Sequence, residues 1–251
     1  MTTIPPEWLR LREGADAAAR STDLVELLKA QLGGDLTIRD LGCGTGSMGR
    51  WLSPKLPGRQ RWILHDRDPQ LLALAITDNA IAEQRDITGL RASELAGTSL
   101  VTASALLDLL TAEEVTDLVQ ACVKAGSPAL FALNVAGKVE FANPDPLDAR
   151  FEAAFNAHQR RTVDGRTLLG PDATDVAAEA FVDFEVHLRP SPWRLGTDDV
   201  ALAAEWLRGW VSAAVEAEPD LPGHSYLERR LSDLQVVVHH TDLLAIPKAV
   251  W

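Results

Sequence analysis

Residues 38–50, IRDLGCGTGSMGR, place four glycines in eight positions directly behind an apolar run. A chain uses glycine where its backbone must turn tightly or pass close to a ligand. Two frames fit the spacing. Read from Gly44, the stretch is G-x-G-x-x-G (Gly44, Gly46, Gly49), which suits a pyrophosphate at a helix N-terminus. Read from Asp40, it is D-x-G-x-G-x-G (Asp40, Gly42, Gly44, Gly46), and a carboxylate there would repel a phosphate. Cys43 lies inside the loop as the small residue that the turn needs.

Further acids follow at strand ends. Asp66 closes RWILHD, 26 residues after Asp40, where a carboxylate can accept from both hydroxyls of a ribose. That feature alone does not separate the frames, since dinucleotide proteins use it too. Asp86, 20 residues later, can accept from an adenine amino group, and Asp40 suits the ammonium of a methionine. These acids suit S-adenosylmethionine, which brings an ammonium, a carboxylate, a sulfonium and a ribose diol but no phosphate. The fourth apolar run ends in TASALLD, with small residues where a methionine moiety would pass.

Acid–base candidates are few. His158 shares a helix face with Phe151 and Phe155, with Gln159 beside it. It reads either as a base or orienting group, or as a core histidine bonded to backbone. Asp108 either caps a turn or touches a substrate. Trp8 and Arg12, four apart with Arg20 beyond them, lie on an amphipathic helix or a lid, and Trp193 in SPWRLG is a similar case. His65 should point away from Asp66, and His239 and His240 fall on opposite strand faces, a poor metal pair. No metal site is expected.

These residues need a scaffold. Apolar runs at 36–41, 61–66, 81–87, 99–104 and 128–135 alternate with helical patterns, the signature of parallel βαβ units. Asp23 is expected to cap a helix ended by Gly33-Gly34, Asp68-Pro69 to open another, and Thr111 with Glu114 to form a capping box. Beyond 135 come helices over 145–161, 198–217 and 222–233, and strands over 181–188 and 234–247. Trp206 and Trp210 read as core. The fold class expected is α/β: a doubly wound, Rossmann-like, seven-stranded, mostly parallel sheet with one antiparallel edge strand, an N-terminal helical segment and inserted C-terminal helices. One domain is expected, with residues 1–34 as the helical segment or lid, 35–135 as the ligand-binding half and 136–251 as the substrate side.

Net charge over the 251 residues is −12, and no basic stripe interrupts it, which speaks against nucleic acid and anionic membranes as partners. Two cysteines make no disulfide framework. No signal peptide or membrane-spanning run is found, so a cytoplasmic protein is expected, as monomer or homodimer.

The whole chain resembles the class I S-adenosylmethionine-dependent methyltransferases, most strongly over residues 36–135. The resemblance implies that Asp40 with Gly42, Cys43, Gly44 and Gly46 wraps the methionine end. It implies that Asp66 holds the ribose, Arg67 lies against the adenosine, Asp86 and the Ile87 backbone read adenine, and Ser104 contacts the methionine group. Later segments (WLRLRE, FNAHQRR, LLGPDA, SPWRLG, HTDLLAIP) resemble a bacterial small-molecule subgroup. The implied activity is methyl transfer to a small-molecule acceptor, at oxygen or nitrogen before carbon, with S-adenosylhomocysteine as product. His158 is then the candidate catalytic residue, and Trp8, Arg12, Asp108, Gln159 and Trp193 the candidate acceptor contacts. The alternatives are an RNA methyltransferase, a non-catalytic S-adenosylmethionine-binding subunit and an NAD(P)-dependent oxidoreductase. Asp40 and Asp86 argue against the last.

Overall fold

Each strongly apolar run becomes a strand with helices on both sides, and the order of the strands creates the crevice. The computed structural model describes residues 4–75 and 80–248. It begins with α1 (Pro6–Ala19) and α2 (Thr22–Lys29). The parallel half follows: β1 (Leu36–Leu41), α3 (Ser47–Leu52), β2 (Gln60–Asp66), α4 (Pro69–Ala75), β3 (Ala80–Gln84), β4 (Leu100–Ser104), α5 (Ala112–Ala125) and β5 (Ala129–Phe141). The remainder is α6 (Asp148–Gln159), a small hairpin of β6 (Thr162–Val163) and β7 (Arg166–Thr167), α7 (Ala173–Ala180), β8 (Phe184–Pro190), β9 (Trp193–Leu195), α8 (Val200–Ala217), α9 (Gly223–Leu231) and β10 (Val236–Pro247).

The main sheet runs β3-β2-β1-β4-β5-β10-β8, with β9 also paired to β10. β1 to β5 are parallel, and β10 is antiparallel to β5, β8 and β9. The antiparallel pairing therefore falls at the expected end of the sheet, with β10 one place in from β8. Strand order reverses between β1 and β4, so their carboxyl ends open a crevice where such sheets bind ligands. Register sets Asp40 level with Thr102 across that gap.

Burial on both faces fixes the layers. On one face Val101, Ala103 and Phe131 pack on Val115, Leu118 and Val119 of α5 and on Ala177 of α7. On the other, Ile38, Leu100 and Leu130 pack on Leu24 and Leu28 of α2 and on Met48 and Leu52 of α3. A third cluster lies beyond the sheet. β5 runs on to Phe141 instead of stopping near 135, and with β10 and β9 it forms a ribbon that carries α6, α8 and α9. There Phe151 stacks on Tyr226 at 3.9 Å, and Trp210 is buried against Phe151, as its apolar stripe implied.

Several caps are as read from the sequence: Asp68 Oδ1 accepts from Gln70 N, and Thr111 and Glu114 form the capping box. One is not. Ser21, not Asp23, caps α2, its hydroxyl accepting from Leu24 N. Ser21 stands there because its own N–H, 2.8 Å from Asp242 Oδ2, is tied to β10. The other oxygen of Asp242 accepts from Leu133 N at 2.7 Å, where β5 takes a positive φ of 55° opposite a bulge in β10.

Asp242→Ala would strand two N–H groups around a site that is 1% exposed. The expected loss is about 2–5 kcal/mol, with Asp242→Asn losing less because its amide oxygen still accepts one bond. Urea unfolding checks it, and a change within ~0.5 kcal/mol for the alanine variant would be the contrary result.

Candidate functional site

The glycine loop joins β1 to α3 through three left-handed residues, with φ of 60° at Gly42, 54° at Gly44 and 83° at Gly46. All three are also crowded, Gly44 by Leu9 of α1. A Cβ on Gly42 would stand 2.9 Å from Leu106 Cδ1, and one on Gly46 would stand 3.2 Å from the Ala75 carbonyl oxygen. The loop is anchored to β2 by Cys43 N, which donates to the His65 carbonyl at 2.9 Å. Burial pushes the Cys43 thiol far up, so it stays protonated and inert, as a loop filler should.

Asp66 at the end of β2 completes the anchor. Its Oδ2 accepts from Gly44 N at 2.9 Å and its Oδ1 from Asp68 N at 3.0 Å. Each carboxylate oxygen has a second lone pair, so both can still accept from a diol. Asp86 is exposed just past β3, its Oδ1 accepting from Thr88 N and Thr88 Oγ1 at 2.9 and 2.8 Å, and these bonds hold its pKa below the usual value. Ile87 next to it is buried, and Arg67 lies exposed nearby, among the charges acting on Asp86.

Asp40 lies deeper than its assigned role implied. It is 1% exposed beneath the loop, with Oδ1 accepting from Thr102 Oγ1 at 2.8 Å and Oδ2 without a partner. Burial raises its pKa from 3.8 to about 7, opposed by the Thr102 bond and by the charge of Arg20.

Arg20 was read from the sequence only as part of a lid, yet it sits at the centre of this end of the sheet. Its Nη2 donates to Ser47 Oγ at 3.1 Å and to Ser104 Oγ at 3.0 Å, bridging the start of α3 to the end of β4. The signal for it was available. Trp8, Arg12, Asp16 and Arg20 fall four apart, a polar stripe along α1. α1 covers the loop: Leu9 would meet a Cβ on Gly44 at 3.1 Å, and Glu13 pairs with Arg50 of α3 at 2.7 Å.

On the far side of α1, Arg12 Nε donates to both oxygens of Asp16 at 3.2 and 3.0 Å, and Trp193 Nε1 donates to Asp16 Oδ1 at 3.0 Å. Trp193 is buried, so it is a wall and not a mobile lid residue, while Trp8 is half-buried 6.4 Å from it. Asp108 is buried in the first turn of Leu107–Leu109, just after β4. His158 does not join this group. Its Nε2 is 3.2 Å from Glu216 of α8 and its Nδ1 3.3 Å from Arg161 Nη1, so both ring nitrogens face side chains of the helical layer. Gln159, next to it, backs onto Gly170. Among the described residues, no group of three or more His, Cys, Asp or Glu could hold a metal ion, and no helix is long and apolar enough to cross a membrane.

No family model and no curated protein matches the sequence. Solved structures do match. A candidate type II methyltransferase from Anaeromyxobacter dehalogenans superposes with a TM-score of 0.55 at 12% identity, over 91% of this chain and 96% of the other. The cyclopropane synthase MmaA2 from Mycobacterium tuberculosis gives 0.51 at 13% identity, over 96% and 94%. The chain shares the fold of these two proteins. An S-adenosylmethionine-dependent methyltransferase from Geobacter sulfurreducens, solved with S-adenosyl-L-homocysteine, aligns over 99% of this chain and 100% of its own at 13% identity, with a TM-score of 0.49.

Within this fold the buried acid has a measurable signature. Asp40→Asn fixes the neutral form. The folded pKa of about 7 lies above the ordinary 3.8, so the acid favours the native state only while protonated. Stability of the ligand-free protein relative to the asparagine variant should fall as pH rises from about 4 to about 7 and level off above. Urea midpoints across that range test it, and a gap independent of pH would contradict the assignment.

Proposed function

We propose that the protein is an S-adenosylmethionine-dependent methyltransferase acting on a small molecule through oxygen or nitrogen. The observation that carries the reading is the charge layout at the carboxyl ends of β1, β2 and β4. A buried guanidinium, Arg20, acts by its charge on Asp40, whose Oδ2 has no partner among the described residues, and a half-buried carboxylate, Asp66, follows along the crevice. That order matches a ligand with a carboxylate, an ammonium and then a sugar diol. It does not match a pyrophosphate, which would meet Asp40 and Asp66 across a helix of only six residues.

The residues fit the ligand. Arg20 would take the methionine carboxylate, with Ser104 alongside, and the unpartnered oxygen of Asp40 is the acceptor an ammonium needs. Asp66 would accept from the ribose hydroxyls, Asp86 and the Ile87 backbone would read adenine, and Arg67 would lie along the nucleoside. When bound, the cofactor supplies an electrophilic methyl group and a neutral thioether leaving group. What remains for the protein is to hold the acceptor in line and exclude water, which the closed position of α1 over Gly44 favours. The acidity of the chain, −12 overall, favours a small acceptor over RNA. A non-catalytic binding subunit would share the cofactor residues, and turnover separates the two.

Isothermal titration with S-adenosylhomocysteine and with NAD is the direct test. Binding of the first and not the second is expected, and the reverse would overturn the reading. Asp66→Ala and Arg20→Ala should each weaken S-adenosylhomocysteine by at least about tenfold, since each charge-assisted bond lost is worth about 1.5–3 kcal/mol. Asp108→Ala should leave that affinity nearly unchanged.

A further inference from the structure

Past β4 the chain enters a tight turn, Leu107–Leu109, that holds Asp108 only 7% exposed. Its Oδ1 has no hydrogen-bond partner among the described residues. A buried carboxylate oxygen without a donor is costly, and a ligand that brings one removes the cost. His240 of β10 is equally buried, its Nδ1 also lacks a partner, and its ring lies 5.1 Å from that of Trp193. Burial, with the charge of Arg12 acting the same way, holds His240 neutral, its pKa lowered to about 3. The charged groups acting on Asp108 come from two elements, Arg12 of α1 and Arg161 beyond α6. Arg12 and His240 meet at one indole, the guanidinium 4.7 Å over the Trp193 ring and the imidazole 5.1 Å from it, and the charge of Arg12 also reaches Asp108.

Arg12 is itself held at one edge only. Its Nε is taken by Asp16, and its guanidinium lies 4.7 Å over the ring of Trp193 and 5.9 Å from that of Trp8. Among the described residues nothing hydrogen-bonds its Nη1 or Nη2. A guanidinium fixed by a carboxylate behind and indoles beside it presents a two-nitrogen edge, the shape that receives a carboxylate.

We propose that Arg12, Asp108 and His240 bind the methyl acceptor, and that the acceptor is a small carboxylic acid bearing a hydroxyl or an amine. Arg12 receives the acid group, Asp108 Oδ1 accepts the hydrogen of the hydroxyl or amine, and neutral His240 offers one further polar contact. The inference rests on the methyl-transfer reading. In the transfer, the acceptor's oxygen or nitrogen forms its bond to the methyl carbon as the carbon–sulfur bond breaks. The proton it sheds passes to Asp108, and the electron pair of the broken bond leaves with the neutral thioether. Asp108 is suited to receive it, because burial raises its pKa to about 6, so the carboxylate is ionised at neutral pH yet more basic than an exposed one.

The probes are salicylate, 4-hydroxybenzoate, anthranilate and lactate, each beside the counterpart without its carboxylate (phenol, aniline, ethanol). They are titrated into the full chain saturated with S-adenosylhomocysteine. At least one acid should bind about tenfold or more tightly than its counterpart. Arg12→Gln should erase that preference, and Arg12→Lys, which keeps charge but not the fork, should restore part of it. Asp108→Asn should hold the same acid within about threefold and lower its methylation by about 10²–10⁴-fold. Melting temperature and S-adenosylhomocysteine affinity are read first for each variant, so a folding defect is seen as such. If the wild-type chain fails to bind S-adenosylhomocysteine, the methyl-transfer reading falls and this inference with it. If it binds S-adenosylhomocysteine but prefers no acid, or if Arg12→Gln keeps the preference, this inference alone is overturned.

Discussion

A guanidinium that is 3% exposed imposes conditions on everything around it. Desolvation, joined by the charge of Arg12, pulls the pKa of Arg20 down, and the charges of Asp16, Asp40 and Asp242 oppose it. Those carboxylates come from α1, β1 and β10, so the helical arm, the first strand and the last strand must all be in place before the charge is tolerable there. Once it is, Arg20 lies 5.6 Å over the ring of Trp51 and joins Ser47 to Ser104, which fixes the mouth of the crevice.

The same stripe of α1 serves both halves of the site. Arg20 at its C-terminal end faces the loop, and Arg12, two turns earlier, faces β9 and β10 through Asp16 and Trp193. Glu13 ties the helix to Arg50, which also donates to the Thr45 carbonyl inside the loop at 2.6 Å. A helix with so weak an apolar face holds its position through these directed bonds, with core burial contributing less.

Much of the parallel half was legible because its strands are buried on both faces and read as continuous apolar runs. The caps at Asp68 and Thr111 were legible because each is closed by a residue two or three positions away. What escaped depended on distant partners. Ser21 outcompetes Asp23 because of Asp242, and β9 is a strand of three residues only because β10 pairs with it. Arg20 gains its meaning from Ser104, 84 positions on. The helix-face reading of His158 with Phe151 and Phe155 was geometrically sound, but it gave no sign that this face packs on α8, where Glu216 meets the imidazole. Asp108 gave no local sign of its burial, because the turn that holds it is packed against β5 and α7, which reach it only in the folded chain.

The bond between Ser21 N and Asp242 Oδ2 spans 221 positions of sequence. A ribosome releases α1 and α2 well before β10, and a nascent chain can set the parallel strands in between. The junction that orients Arg20 has no acceptor until residue 242 emerges from the exit tunnel. The crevice therefore has its loop, its acids and Arg20 before it has Asp242, the carboxylate that fixes where the start of α2, and Arg20 beside it, must sit.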